Sequence, residues 1–227
     1  MSDHDTDSVL IGAAMRLAGE AGWSRVGVVT AARAANVPLD AARARFPNKA
    51  MILLRFGALM DQAALADAAA DGPVKDRLFD LLMSRFDAMQ PHRAGVVAVM
   101  RALPFEPLLA LALAHQTQRS MRWMLQAAGA MVDGPRGELQ VKGLVAVWLW
   151  TLRAWERDTS EDMSGTMAAL DTALLRAEQV AGWLGMGGSK AADEETVEPG
   201  IEGASEEAGT DARFSGGDET NGVSKEI

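Results

Sequence analysis

Apolar residues recur at helical spacing from residue 8 to residue 184, and no stretch of that span alternates as a strand would. This one period confines the chain to an all-α fold. Leu10, Ala13, Ala14, Leu17, Ala18 and Ala21 line one face of a first helix, with Ser8 placed to cap it and Gly22 to end it. Two short helices follow, 28–35 and 39–45, parted by Asn36-Val37-Pro38 because a proline biases the residue before it away from helix. Phe46-Pro47-Asn48 makes the next break, and Asn48 caps a long helix over 49–70. Asp71-Gly72-Pro73 leads into a fifth helix with Leu78, Leu82, Phe86 and Met89 on one stripe, stopped by Pro91. A sixth helix covers 93–102, a seventh 108–128 and an eighth 139–157, the last with Leu144, Trp148, Thr151 and Trp155 sharing a face. Thr159 or Ser160 caps a ninth, whose buried stripe is Met163, Met167, Leu170, Leu174, Ala177 and Ala181. The implied organisation is a trihelical module over 1–48, a helical domain over 49–186 and a disordered tail over 187–227.

Charge separates the tail from the body. Residues 188–227 hold eleven Asp/Glu and three Lys/Arg, so they carry −8 of the net −9. A segment with so little apolar content cannot offset the entropy of ordering itself. Within the body, residues 16–55 carry Arg16, Arg25, Arg33, Arg43, Arg45, Lys49 and Arg55 against Glu20 and Asp40, a local +5 that suits phosphate. Other chemistry is excluded by what is missing. The absence of cysteine removes disulfide scaffolds, thiol nucleophiles and thiolate-bound metals. Three histidines and no tyrosine leave few groups for acid–base work, so no catalytic residue, cofactor or metal ligand is assigned. Asp158, Glu161 and Asp162 read as helix-end residues rather than as a catalytic cluster. No secretory signal opens the chain, and the apolar run over 143–152 is half the length needed to span a bilayer.

Short helix, turn, short helix, then a long helix is helix-turn-helix geometry. The second short helix is the one offered to a major groove. Arg43 and Arg45 then reach base edges or phosphates, with Arg33 on the bracing helix and Lys49 at the start of the long one. With 13–22 as first helix, 31–37 as bracing helix and turn, and the junction Phe46-Pro47-Asn48-Lys49, the N-terminal region resembles the TetR family of regulators. Where that family usually shows Ser-x-Gly-Thr-Leu-Tyr-x-His-Phe, this chain reads Pro38-Leu39-Asp40-Ala41-Ala42-Arg43-Ala44-Arg45-Phe46. The hydroxyls that anchor phosphate are gone, and Asp40 brings a charge of the same sign as DNA.

A second resemblance covers about residues 75–181. Val-Trp-Leu-Trp-Thr-Leu-Arg-Ala-Trp over 147–155, the junction Asp158-Thr159-Ser160-Glu161-Asp162-Met163 and the element Ala168-Ala169-Leu170-Asp171 are similar to the Coq-nine family of ubiquinone-biosynthesis accessory proteins. So are Phe79-Asp80-Leu81-Leu82, Arg85-Phe86 and Pro91-His92-Arg93, and Trp123 with Ala127-Ala128-Gly129. The likeness implies a non-catalytic protein that binds a lipid or polyprenyl-quinone in its C-terminal bundle. It also implies a quinone-biosynthesis hydroxylase as partner and a cytoplasmic protein peripheral to the membrane, while the TetR resemblance implies a homodimer formed through helices eight and nine. The residues expected to line the cavity are Met83, Phe86, Met100, Met121, Trp123, Leu125, Trp148 and Trp155, since methionine adapts to variable oily ligands. The alternative is a dimeric TetR-type regulator that binds DNA through Arg33, Arg43, Arg45 and Lys49 and answers to a small apolar effector. A third possibility is a solid-cored interaction protein with no ligand.

Overall fold

Nine α-helices joined by short turns make up the described residues, and no strand occurs among them. The computed structural model describes residues 3–66, 68 and 71–183; the acidic tail expected from residue 187 lies outside them. In chain order the helices are α1 (Asp3–Ala21), α2 (Val28–Ala34), α3 (Leu39–Arg45), α4 (Lys49–Ala66), α5 (Val74–Met89), α6 (Arg93–Ala102), α7 (Pro107–Ala127), α8 (Gly134–Arg157) and α9 (Ser164–Trp183). Single 3-10 turns lie at Trp23–Arg25, Gln90–His92 and Leu103–Phe105.

Three helix starts differ by more than one residue from those expected, each for a local reason, and α4 ends at Ala66 rather than 70. α1 begins five residues before Ser8, so Ser8 is inside the helix and not its cap. The extra turn is acidic, which suits a helix N-terminus, and its Asp7 is held by Arg45 and Arg55. α8 begins at Gly134 rather than 139, with Pro135 in its first turn. Gly137 permits this early start, because a Cβ there would collide with the Val132 backbone. α9 begins at Ser164, and neither Thr159 nor Ser160 caps it. Asp158 reaches forward instead. Its Oδ2 accepts from Thr166 N at 2.6 Å and Thr166 Oγ1 at 2.7 Å, and its Oδ1 accepts from Ser160 N at 3.0 Å. These bonds, led by the Ser160 and Thr166 hydroxyls, hold the Asp158 carboxyl well below the usual carboxylate range. Asn48 does cap α4, its Oδ1 accepting from Met51 N at 3.0 Å.

Packing then follows the apolar stripes. In the N-terminal region Leu10, Ala14 and Ala18 of α1 close on Trp23, Ala31, Val37, Ala42 and Phe46, all at most 4% exposed. In the larger domain α4, α5, α7, α8 and α9 share an interior built on Ile52, Leu82, Phe86, Met121, Met124, Trp155 and Leu170. The α5 and α8 stripes meet as an aromatic stack. Phe86 lies on Trp148 with ring centroids 4.6 Å apart and on Trp155 at 5.9 Å. Trp155 Nε1 donates to Gln90 Oε1 at 2.8 Å, so its polar edge is satisfied in the interior. Arg93, at the start of α6, donates to the carbonyl of Trp155 at 2.8 Å and to that of Asp158, closing the end of α8. α1 packs along α6, which joins the N-terminal helices to the larger domain. The described residues fall within one compact unit.

Candidate functional site

Two features stand out: the exposed face of α2 and α3, and a half-open hollow in the larger domain. α2 and α3 are one turn apart. Asn36 makes the turn with a left-handed backbone at φ 53°, a conformation asparagine tolerates better than most residues. Thr30 is engaged locally, donating to Gly27 O at 2.8 Å and accepting from Gly27 N at 2.9 Å. The outer face of α3 presents Leu39, Asp40, Arg43 and Ala44, all exposed. Arg33 is exposed on α2, and Arg43 also donates to Pro47 O at 2.8 Å.

The other two expected cations are committed elsewhere. Arg45 lies against the module, with Nε 2.5 Å from Asp7 Oδ1 and Nη2 2.7 Å from Asp7 Oδ2. Arg55 of α4 also pairs with Asp7. The Arg45 guanidinium beside Asp7 holds its carboxyl below the usual carboxylate range, against the opposing effect of burial. Lys49 Nζ is 2.7 Å from Glu106 Oε1 and 5.5 Å from the centre of the Trp23 ring. Asp7 and Glu106 stand 38 and 57 residues away from these partners, and no local spacing announces such pairs.

The hollow has a volume of about 270 Å³ and lies where α1, α4, α5, α6, α7 and α8 converge. Met15, Phe56, Met60, Val99, Met100 and Trp148 give it an oily lining. Polar groups enter at three lining positions: Arg85 of α5, and Gln116 and Thr117 of α7. Arg85 is the surprise, because it sits in the α5 stripe between Leu82 and Met89. Its side chain is 6% exposed, its Nη2 lies 3.1 Å from Asp61 Oδ1, and the Trp148 ring centre is 4.4 Å from its guanidinium carbon. Asp61 Oδ2 accepts from Ser120 Oγ. Burial pushes the Asp61 carboxyl up despite Arg85 and pushes the Arg85 guanidinium down despite Asp61. A polar residue inside an apolar stripe was the available signal, and the sequence reading did not use it.

Of the eight residues expected to line a cavity, Met100 and Trp148 do so. Met83, Phe86, Met121, Leu125 and Trp155 are buried in the surrounding packing, with Phe86 and Trp155 taken up by the aromatic stack. Trp123 faces outward at 62% exposure, on the same outer face of α7 as Arg119, Gln126 and Ala127. A second depression, about 450 Å³ and more open, lies between α5 and α9. Lys75, Asp76, Asp80 and Asp171 ring it, and Lys75 Nζ is 3.0 Å from Asp171 Oδ1, which marks it as a solvated surface groove.

A helix-turn-helix module set on a larger helical domain is also the fold of solved TetR transcriptional regulators. A TetR transcriptional regulator from Nitrosomonas europaea superposes with a TM-score of 0.63 at 24% identity, over 75% of this chain and 97% of that one. A TetR transcriptional regulator from a Rhodococcus species gives 0.58 at 16%, over 78% and 97%. A TetR-family regulator from Streptomyces coelicolor gives 0.51 at 21%, over 82% and 87%. The chain therefore has the TetR-regulator fold. No protein-family model matches the sequence, and no curated protein does. Nothing in these comparisons supports the Coq-nine resemblance.

Proposed function

We propose that the protein is a DNA-binding transcriptional regulator whose affinity for its operator is set by a small apolar effector. The observation that carries this reading is the pairing of an exposed α2–α3 face bearing Arg33 and Arg43 with a half-open cavity lined in part by α1, α4 and α6. The names of the three structural neighbours point the same way. The lipid-accessory reading fits the cavity less well. By comparison with a 150 Å³ cavity that takes benzene, 270 Å³ holds roughly eleven heavy atoms, or two isoprene units. A polyprenyl chain is several times longer. Among the described residues no helix is long and apolar enough to cross a membrane.

The test is selection of genomic fragments by the full chain, followed by anisotropy titration of the selected duplex across a salt series. Sequence-selective binding that weakens steeply with salt is expected. Arg33→Ala/Arg43→Ala should lose about tenfold or more in affinity and flatten the log–log salt slope by about two, one unit per phosphate contact. Failure to enrich any fragment would end the regulator reading.

Such a regulator works as a dimer, because two recognition helices address two half-sites. Leu149 and Trp150 of α8 and Leu175 and Val180 of α9 are exposed on helices that pack against each other. This apolar surface is the proposed dimer face. Light scattering should give twice 24.1 kDa, and Trp150→Asp should give the single-chain mass with helix content retained. A wild-type monomer at micromolar concentration would remove that face from the proposal.

A further inference from the structure

Among the described lining residues of the cavity, Arg85 is the one charged side chain. Its Nε and Nη1 are buried and have no hydrogen-bond partner, which leaves three N–H groups unmatched on a side chain that lines the oily hollow. Buried donors in folded proteins are nearly always satisfied, so unmatched ones beside a cavity call for an acceptor carried by whatever fills it. Charge then decides which acceptor. Asp61, with Nη2 of Arg85 3.1 Å from its Oδ1, already balances the guanidinium. The other polar lining groups, Gln116 and Thr117, are neutral. A carboxylate entering here would leave an uncompensated negative charge in a low-dielectric space and would face Asp61. A carbonyl oxygen accepts hydrogen bonds and brings no charge.

The geometry points to an effector that is neutral and mostly hydrocarbon, of about ten heavy atoms, with one carbonyl-type oxygen that accepts from Arg85. This rests on the effector-pocket reading given above and narrows it to a chemical class. Trp148 lies over the guanidinium and fixes its plane, so the donors are held in place before the ligand arrives. Met60, Met89 and Met100 supply an adaptable wall for the hydrocarbon part. On α7, Gln116, Thr117 and Ser120 follow one another at helical spacing, and Ser120 donates to Asp61 and so holds the carboxylate that balances Arg85.

Three probes of matched length test this on the full wild-type chain at neutral pH: nonane, 2-nonanone and nonanoate. Binding is read from tryptophan fluorescence, since Trp148 lines the cavity, and from the shift in unfolding temperature. The ketone should bind at least tenfold more tightly than either of the others. In Arg85→Met/Asp61→Leu, which removes both charges together, its lead over nonane should fall below twofold. Should that variant fail to fold, the wild-type series decides alone. Nonane binding as well as the ketone would show an oily hollow that Arg85 does not read, and a tighter nonanoate would show an anion site. Either result overturns the inference and leaves the effector pocket standing. No binding by any of the three overturns both, while the DNA titration still judges the regulator on its own terms.

Discussion

Replacing Gly95 with alanine should lower the unfolding temperature by roughly 6–12 °C. Gly95 lies in α6 where that helix crosses α1, and a Cβ there would fall inside contact distance of the Met15 carbonyl oxygen. The obstacle is backbone in mid-helix, so no side-chain rotation relieves it. The two helices must part, and forcing atoms into a packed interface costs about 3 kcal/mol or slightly more. For a chain of this size each kcal/mol is worth roughly 2–4 °C. Gly19 lies at the same crossing, where its Cβ would sit 2.8 Å from that of Ala94, and Gly19→Ala should have a smaller effect of the same sign. Gly12 is the control. It is also in α1, but a Cβ there meets nothing within 4 Å. Gly12→Ala should therefore gain up to about 1 kcal/mol from helix propensity alone. Thermal denaturation of the three variants checks the set. Equal unfolding temperatures for Gly95→Ala and Gly12→Ala would mean that α1 and α6 do not pass so closely. The crossing matters for function because Met15 and Val99, on these two helices, both line the cavity. Helices that approach this closely move together or not at all.

The glycine crossing also shows where sequence reasoning stopped. Helical period is a local property, so the order and type of the elements were legible, and α3 and α6 fall on the residues expected of them. The TetR-like fold was legible too, through the junction at Phe46-Pro47-Asn48-Lys49. Which residues meet across the fold was not. Gly95 reads as a weak point in a helix until α1 is laid against it. The cavity followed the same pattern. Aromatic and methionine content pointed to α5, α6, α7 and α8, yet Phe86 and Trp155 fill space in the aromatic stack, and of the expected residues Met100 and Trp148 reach the wall. Composition locates oily residues but does not say which of them touch each other. Arg85 was not among the expected lining residues, although its signal was local. A guanidinium on the stripe that carries Leu82 and Met89 breaks the apolar pattern, and such breaks mark sites more often than they mark errors.

Removing the Asp7 carboxylate should destabilise the N-terminal module by about 3 kcal/mol, because one anion serves two cations there. Asp7 is 8% exposed, and its two oxygens hold Arg45 at the end of α3 and Arg55 on α4. Deleting the shared partner takes the carboxylate away from two guanidinium groups in partly buried positions. The loss sits at the low end of the range for buried pairs because the arginine side chains remain 24% and 33% exposed. The effect depends on acidity with a definite sign. The Asp7 carboxyl is held below its ordinary value in the folded protein, so its contribution is fully present above the unfolded value of about 3.9 and disappears as pH falls through the folded one. Chemical denaturation should thus show a wide gap between wild type and Asp7→Asn at pH 7, closing below about pH 4. A gap of constant width would mean that the carboxylate's charge plays no part. DNA binding supplies the second readout. α3 has seven residues, too few to hold its shape unaided, and the Arg45–Asp7 pair anchors its C-terminal end. Asp7→Asn takes the shared carboxylate away from Arg45 and adds one unit of positive charge near α3. Affinity for unrelated duplex should rise, with a salt slope steeper by about one, while the preference for the selected operator falls. Those opposite movements distinguish an anchor from a repulsive charge: if Asp7 merely repelled phosphate, binding to both duplexes would strengthen together and the preference would survive.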